Sequence, residues 1–195
     1  MTPRQYKEDI EKQISDWHIP LHSRKHWTFR SALKTMDGFK LSQGDIPLVI
    51  KLVENPKYDI GLFAGNVDLH SHDCIHVLLG RGLLVKDEAF VIGYTMGTTK
   101  KMPRWRRNLF MFVSKHLYPE GYRFGEEERY VFNSAVIMGS KCPTDLSKVN
   151  FRDFGDDKVS EIRKKFGIDR KDISRFYSLE QQFFKDSKES RRLLE

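Results

Sequence analysis

Along most of the chain apolar residues return at three- and four-residue spacing, and strand-type alternation is scarce, so the sequence reads as mainly helical. Thr2, Pro3 and Gln5 have capping-box spacing and predict a first helix to about Ser15, ended by Ile19-Pro20. A second is predicted over about His26 to Met36, stopping at Asp37-Gly38. Gly44-Asp45 and Pro47 open a third, IPLVIKLVE, which stops before Asn55-Pro56. Asn66 or Asp68 can cap a helix through Leu79, closed by Gly80-Arg81-Gly82. Asp87 is then expected to start a helix to about Gly97, and Pro103 to sit at the start of RWRRNLFMFVSKHL.

EEERYVFNSAVIMG follows, then a loop rich in Asp, Phe and Gly over 143–157. Two more helices are expected over about Lys158–Phe166 and Asp172–Leu194, parted by Gly167. FVIGYTM has strand-like residues, but its context favours a helix. The fold class is therefore all-α, a single-domain helical bundle over 1–195.

Composition sharpens this only in part. With 195 residues, 39% hydrophobic and 31% charged, the chain can build one sizeable core and is too apolar for a disordered tail. No run approaches the ~20 apolar residues of a membrane span. MTPRQYKEDIEKQ fits neither a signal nor a transit peptide, and two cysteines, Cys74 and Cys142, make no disulfide framework. A reducing, cytoplasmic setting is expected. The net charge of +7 is concentrated: from Ala89 to Pro119 there is no acid, against Lys100, Lys101, Arg104, Arg106, Arg107 and Lys115.

The segment DLHSHDCIHVLLGRGLLVKDEAF carries the candidate chemistry. With about 100° per residue, Asp73 lies roughly 100° and His76 roughly 40° from His72, so all three share an arc of one helix. In a largely apolar helix, polar side chains gathered on one arc need a partner. Two imidazoles and a carboxylate suit Zn²⁺, Fe²⁺, Co²⁺ or Mn²⁺. Gly80 and Gly82 let the chain reverse, so that Glu88 can face back as a further oxygen ligand or a base. His70 and Cys74 point away from this arc, and Cys74 reads as a packed core residue.

At these residues the chain resembles the coenzyme Q (ubiquinone) biosynthesis protein 4 family, marked by His-Asp-x-x-His, eleven residues, then Glu. His72, Asp73, His76 and Glu88 match with the spacing intact, and upstream GDIPLVIKLVENP is similar to the family's stretch before the motif. The similarity covers about residues 30 to 140; the last fifty or so residues do not align with the family pattern. The resemblance implies a helical protein holding a divalent metal, zinc in the usual description, beside a hydrophobic cavity for an isoprenoid tail. His72, Asp73, His76 and Glu88 would then be metal ligands and catalytic groups. It further implies action on a polyprenylated aromatic precursor, with oxidative loss of its C1 carboxylate, peripheral membrane contact, and association with other quinone-biosynthesis enzymes. A homodimer is also expected.

KKMPRWRR sets Trp105 among bases ahead of the apolar LFMFV. Arg104, Arg106 and Arg107 are candidates for contact with a phosphate or an anionic lipid headgroup. The plainer reading is a solvated helix start with snorkelling stems. No nucleic-acid-binding module is recognisable, and nucleic acid is not expected as a partner. Leu48, Ile50, Leu52, Phe110, Phe112 and Val113 read as core. Two other functions use the same residues differently. One is a prenyl-lipid-binding scaffold whose metal only joins two helices. The other is a helical phosphohydrolase with the His72-Asp73 doublet, completed by His22 or His26 and Asp145 or Asp153.

Overall fold

The computed structural model describes residues 17–22, 26–37, 65, 67–100, 102–118 and 122–194. The helices expected over 2–15 and 45–54, the GDIPLVIKLVENP stretch and Lys101 lie outside them. The described residues are all-α: α1 (Phe29–Lys34), α2 (Leu69–Leu79), α3 (Val85–Thr98), α4 (Arg104–His116), α5 (Glu126–Lys141), α6 (Val159–Phe166), α7 (Arg170–Phe183) and α8 (Lys188–Arg191). They contain no strand, only an isolated bridge between Thr28 and Lys158. Two 3-10 turns, Leu146–Lys148 and Phe151–Phe154, order the loop after α5.

α3 runs through the middle of the described helices. Its FVIGYTM stretch is helical, and almost every residue from Lys86 to Thr98 is buried. A helix apolar on all sides must be surrounded. Phe90, Val91 and Tyr94 join a core cluster with α1, α2, α6 and α7, whereas Ala89, Ile92 and Met96 join a second one with α4 and α5. The two clusters meet across it. Where α3 crosses α5 the backbones almost touch: a Cβ on Gly139 would lie 2.1 Å from the Tyr94 carbonyl oxygen, and one on Gly97 2.4 Å from that of Val136.

α2, which carries both motif histidines, is tied at each end. Asp68, not Asn66, is its N-cap, and its Oδ1 accepts from Ser71 N–H at 2.7 Å. At the other end Gly80 takes the left-handed conformation (φ 69°), where a Cβ would also meet the Leu21 backbone at 2.6 Å. The last carbonyls of α2 are buried, so water cannot satisfy them. Arg163 of α6 donates to Leu78 O (2.7 Å) and Val77 O (3.1 Å), and also to Leu21 O (2.7 Å). Tyr177 of α7 donates to Leu79 O at 2.7 Å.

Three expectations need correction. α3 starts at Val85, with Asp87 third in its first turn, where its Oδ2 accepts from Leu84 N–H at 3.2 Å. The helix expected over Asp172–Leu194 is broken after Phe183, and Ser187 caps a short α8. The break lets the chain fold back, with Gln181 Nε2 donating to Arg191 O at 2.8 Å. Phe112 is not core: it is 57% exposed, unlike its buried neighbours Phe110 and Val113. Cys74 and Cys142 are both buried thiols that form no disulfide, and Cys74 sits in the core as expected.

Removing the Arg163 guanidinium leaves buried carbonyls without donors, and each such group costs about 1–3 kcal/mol. Arg163→Met is therefore expected to destabilise the fold by roughly 3 kcal/mol or more in urea denaturation. Asp68→Ala is expected to cost about 1 kcal/mol. Burial pushes the Asp68 carboxyl up, but the Ser71 hydrogen bonds outweigh it and hold the group below its usual 3.8. The Asp68 contribution is thus full well above pH 3.8 and fades as pH falls below it, so the gap between wild type and Asp68→Ala narrows in acid.

Candidate metal centre

His72 and His76 stand one helical turn apart on α2, with ring centroids 4.7 Å apart in an edge-on arrangement. The loop over 80–84 reverses the chain, and Glu88, in the first turn of α3, reaches back across it. Its carboxylate straddles both rings: Oε2 lies 2.8 Å from His72 Nε2 and Oε1 lies 3.3 Å from His76 Nε2. The two Nε2 atoms are 3.0 Å apart.

With Glu88 ionised, protons alone leave this triangle incompletely satisfied. Each imidazole Nε2 either carries a hydrogen or offers a lone pair. If both carry one, two donors face each other at 3.0 Å; if one does, a second nitrogen lone pair is set against a carboxylate oxygen. A cation at the centre satisfies all three contacts together. The spacing agrees. With metal–ligand bonds of ~2.0–2.2 Å, donor atoms stand about 2.8–3.1 Å apart at a right angle and about 3.3–3.6 Å apart at the tetrahedral angle. His72, His76 and Glu88 place their ligand atoms within 4.8 Å of one another, so the group can hold a metal ion.

The electrostatics are those of a ligand set. Burial works to raise the Glu88 carboxyl, but the two imidazoles beside it and their hydrogen bonds hold it well below the usual carboxylate range. It is therefore ionised, as a coordinating carboxylate must be. Access is one-sided. The His76 side chain is fully buried, whereas those of His72 and Glu88 are 18% and 27% exposed.

Asp73 is buried on α2 but does not belong to the converging group. His22, His26, Asp145 and Asp153 also lie outside it. His22 Nε2 is 3.4 Å from Ser174 Oγ, Asp145 accepts from Ser147, and Asp153 from Asn150. The hydrophobic tail cavity expected beside the metal group is not shown. A cavity of about 190 Å³ lies elsewhere, lined by residues such as Tyr94, Met138, Lys141, Cys142, Asp172 and Ile173.

Arg104, Arg106 and Arg107 occupy the first turn of α4, after Pro103. Trp105 and Phe112, seven residues apart and so on one face, are 56% and 57% exposed, and Leu117 beyond them is 56% exposed. Among the described residues no helix is long and apolar enough to cross a membrane.

Sequence reasoning missed a buried charge cluster directly behind Glu88. Arg81 is sandwiched between Phe90 and Tyr177, its guanidinium 4.2 and 4.3 Å from the ring centroids. Its fork closes on Glu180, and Asp87, Arg192 and Lys86 are buried around it. Burial opposes the Arg81 charge, but Glu180 and Asp87 more than restore it. Lys86 and Asp87 adjoin Glu88, yet the partners Glu180 and Arg192 lie about a hundred positions further on, beyond any local pattern.

No family model matches the chain, and neither a curated protein nor a solved structure does. The site rests on its own geometry.

His72→Ala, His76→Ala and Glu88→Gln are each expected to abolish stoichiometric binding of a divalent ion, measured by metal analysis after dialysis. Asp73→Asn is expected to weaken it less than Glu88→Gln. Unchanged metal content in the His72→Ala/His76→Ala double variant would overturn the assignment.

Proposed function

We propose that this chain is a divalent-metal protein of prenylquinone-biosynthesis type, acting on a polyprenylated aromatic precursor. The observation that carries the reading is the convergence of His72, His76 and Glu88 on one point, from the spacing that the quinone-biosynthesis family shares. Zinc is the metal that the resemblance implies, and two imidazoles with a carboxylate are compatible with it as with other divalent ions. The ion would supply Lewis acidity toward a phenolate or carboxylate oxygen of the substrate. His72, His76 and Glu88 hold it, and the exposed side of His72 and Glu88 leaves room for that oxygen to approach. Asp73 or Glu88, whichever does not bind the ion directly, would orient an imidazole or move a proton at the reacting ring. Decarboxylation at C1 is the reaction put forward: the bond from the ring to the carboxylate breaks, CO₂ leaves, and a proton takes its place on the ring. The oxidative form that the resemblance implies would need an external two-electron oxidant, since zinc itself is redox-inert. The scaffold reading uses the same ion with no open position.

Contact with an anionic membrane surface fits α4. Cations at a helix N-terminus oppose the helix dipole, yet three arginines fill the first turn of α4 with no acid among them. An anionic partner turns that arrangement from unfavourable to favourable. Exposed Trp105 and Phe112 supply the apolar side of such a contact.

Native mass spectrometry of protein extracted under mild conditions is expected to show one divalent ion and an isoprenoid lipid travelling with the chain. His76→Ala is expected to lose the ion together with turnover of a prenylated hydroxybenzoate. Full turnover by a metal-free double histidine variant would end the catalytic reading. For the surface, co-sedimentation with phosphatidylserine vesicles is expected at low salt, falling with added salt and with Arg104→Glu/Arg107→Glu. Absence of low-salt binding would refute it.

A further inference from the structure

Asp87, the residue before Glu88, is bonded to Arg192, more than a hundred positions away in the sequence. Lys86, Asp87 and Glu88 are consecutive in the first turn of α3, and Glu88 alone of the three joins the imidazoles. Asp87 is fully buried, and its Oδ2 takes a hydrogen bond from Arg192 Nη2 at 2.6 Å besides the one from Leu84 N–H. Arg81 Nη1 stands 3.6 Å from the other oxygen. Lys86 pairs with Glu127 and reaches Ser190 Oγ at 3.5 Å, and that hydroxyl donates to Glu180 Oε1 at 3.1 Å. Around the start of α3, three cations (Arg81, Lys86, Arg192) meet three carboxylates (Asp87, Glu127, Glu180). The loop before α3 fits over this cluster so closely that a Cβ on Gly82 would lie 2.0 Å from Arg192 Nη2.

We infer that Arg192, acting through Asp87, is a positioning residue for the metal centre: the C-terminal turn latches the first turn of α3 so that Glu88 meets His72 and His76. The inference rests on the metal reading above. The physical reason is tolerance. A carboxylate ligand must sit within a few tenths of an ångström of its place, and two of the three donors are fixed by α2. The third depends on where α3 begins, and Asp87, one residue before Glu88, is the side chain that both closes the 84–87 turn and receives Arg192. Without Arg192, Asp87 keeps a buried charge with one partner fewer, and the turn must shift or take in water.

Cobalt(II), whose visible bands report its ligands, serves as the probe in the full chain. Wild type, Arg192→Leu, Arg192→Lys and the surface control Lys141→Ala are compared at a temperature where circular dichroism shows each folded. Arg192→Leu is expected to bind Co²⁺ and Zn²⁺ about 10–100-fold more weakly, with shifted Co²⁺ bands. Arg192→Lys is expected to recover part of the affinity, and Lys141→Ala to match wild type. A role in stability alone would lower the unfolding temperature and leave the folded protein's affinity and bands unchanged, which would overturn the inference. Should Arg192→Leu not fold, Arg192→Lys is read in its place, and wild-type affinity and bands in that variant count against the inference. A wild type that takes up no Co²⁺ overturns the metal reading itself, and the inference with it.

Discussion

The carbonyls that end α2 point into the interior, and the rest of the site depends on how they are satisfied. A helix that stops inside a protein leaves acceptors that water would normally meet, and each costs about 1–3 kcal/mol if left alone. Here Arg163 and Tyr177 meet them from α6 and α7. Arg163 also brings a positive charge to the negative end of the helix dipole. Burial lowers its guanidinium to about 10, which leaves it charged at neutral pH. With its end fixed, α2 presents His72 and His76 at a defined angle, and Gly80 can turn the chain sharply toward α3.

Stability alone does not call for the charge cluster that follows. Burying ion pairs carries a desolvation cost that can exceed their attraction, and apolar side chains of similar volume often do as well. Removing one member is another matter, since it strands the others at about 3–5 kcal/mol. Such a cluster is permissive toward one arrangement and punishing toward neighbouring ones. Arg81 shows this best: its two faces lie on aromatic rings and its edge on carboxylates, so neither rotation nor displacement is cheap. A structure intolerant of displacement is what a three-point ligand set needs behind it.

The helical fold and the ligand group were legible in the sequence to the extent that they are local. The cap at Asp68, the glycine end at Gly80, and the i, i+4 pair of His72 and His76 are all read within a dozen residues. Glu88 followed because one short loop separates it from the pair. What was not legible depends on partners far along the chain. Asp73 lies on the predicted arc, yet a shared arc does not make its carboxylate converge with the imidazoles and Glu88. Phe112 reads as core by type, and its exposure depends on what packs against α4. The break after Phe183 follows no proline or glycine; it coincides with the turn that brings Ser190 and Arg192 back to the cluster. No periodicity announces such an ion pair.

The choice between catalyst and scaffold turns on the number and placement of ligands. Closed structural sites surround their ion with four protein donors, while catalytic ones keep a position open. The described residues converge three, and their exposure is graded: nothing at His76, a fifth at His72, a quarter at Glu88. An ion at their centre would have protein behind it and its remaining coordination directed to the accessible side. For joining two helices this is wasteful, since Arg163, Tyr177 and the Arg81 cluster already join α2 and α3 to the rest of the fold without it. On the reading proposed above, the accessible side of His72 and Glu88 is where a substrate oxygen would meet such an ion.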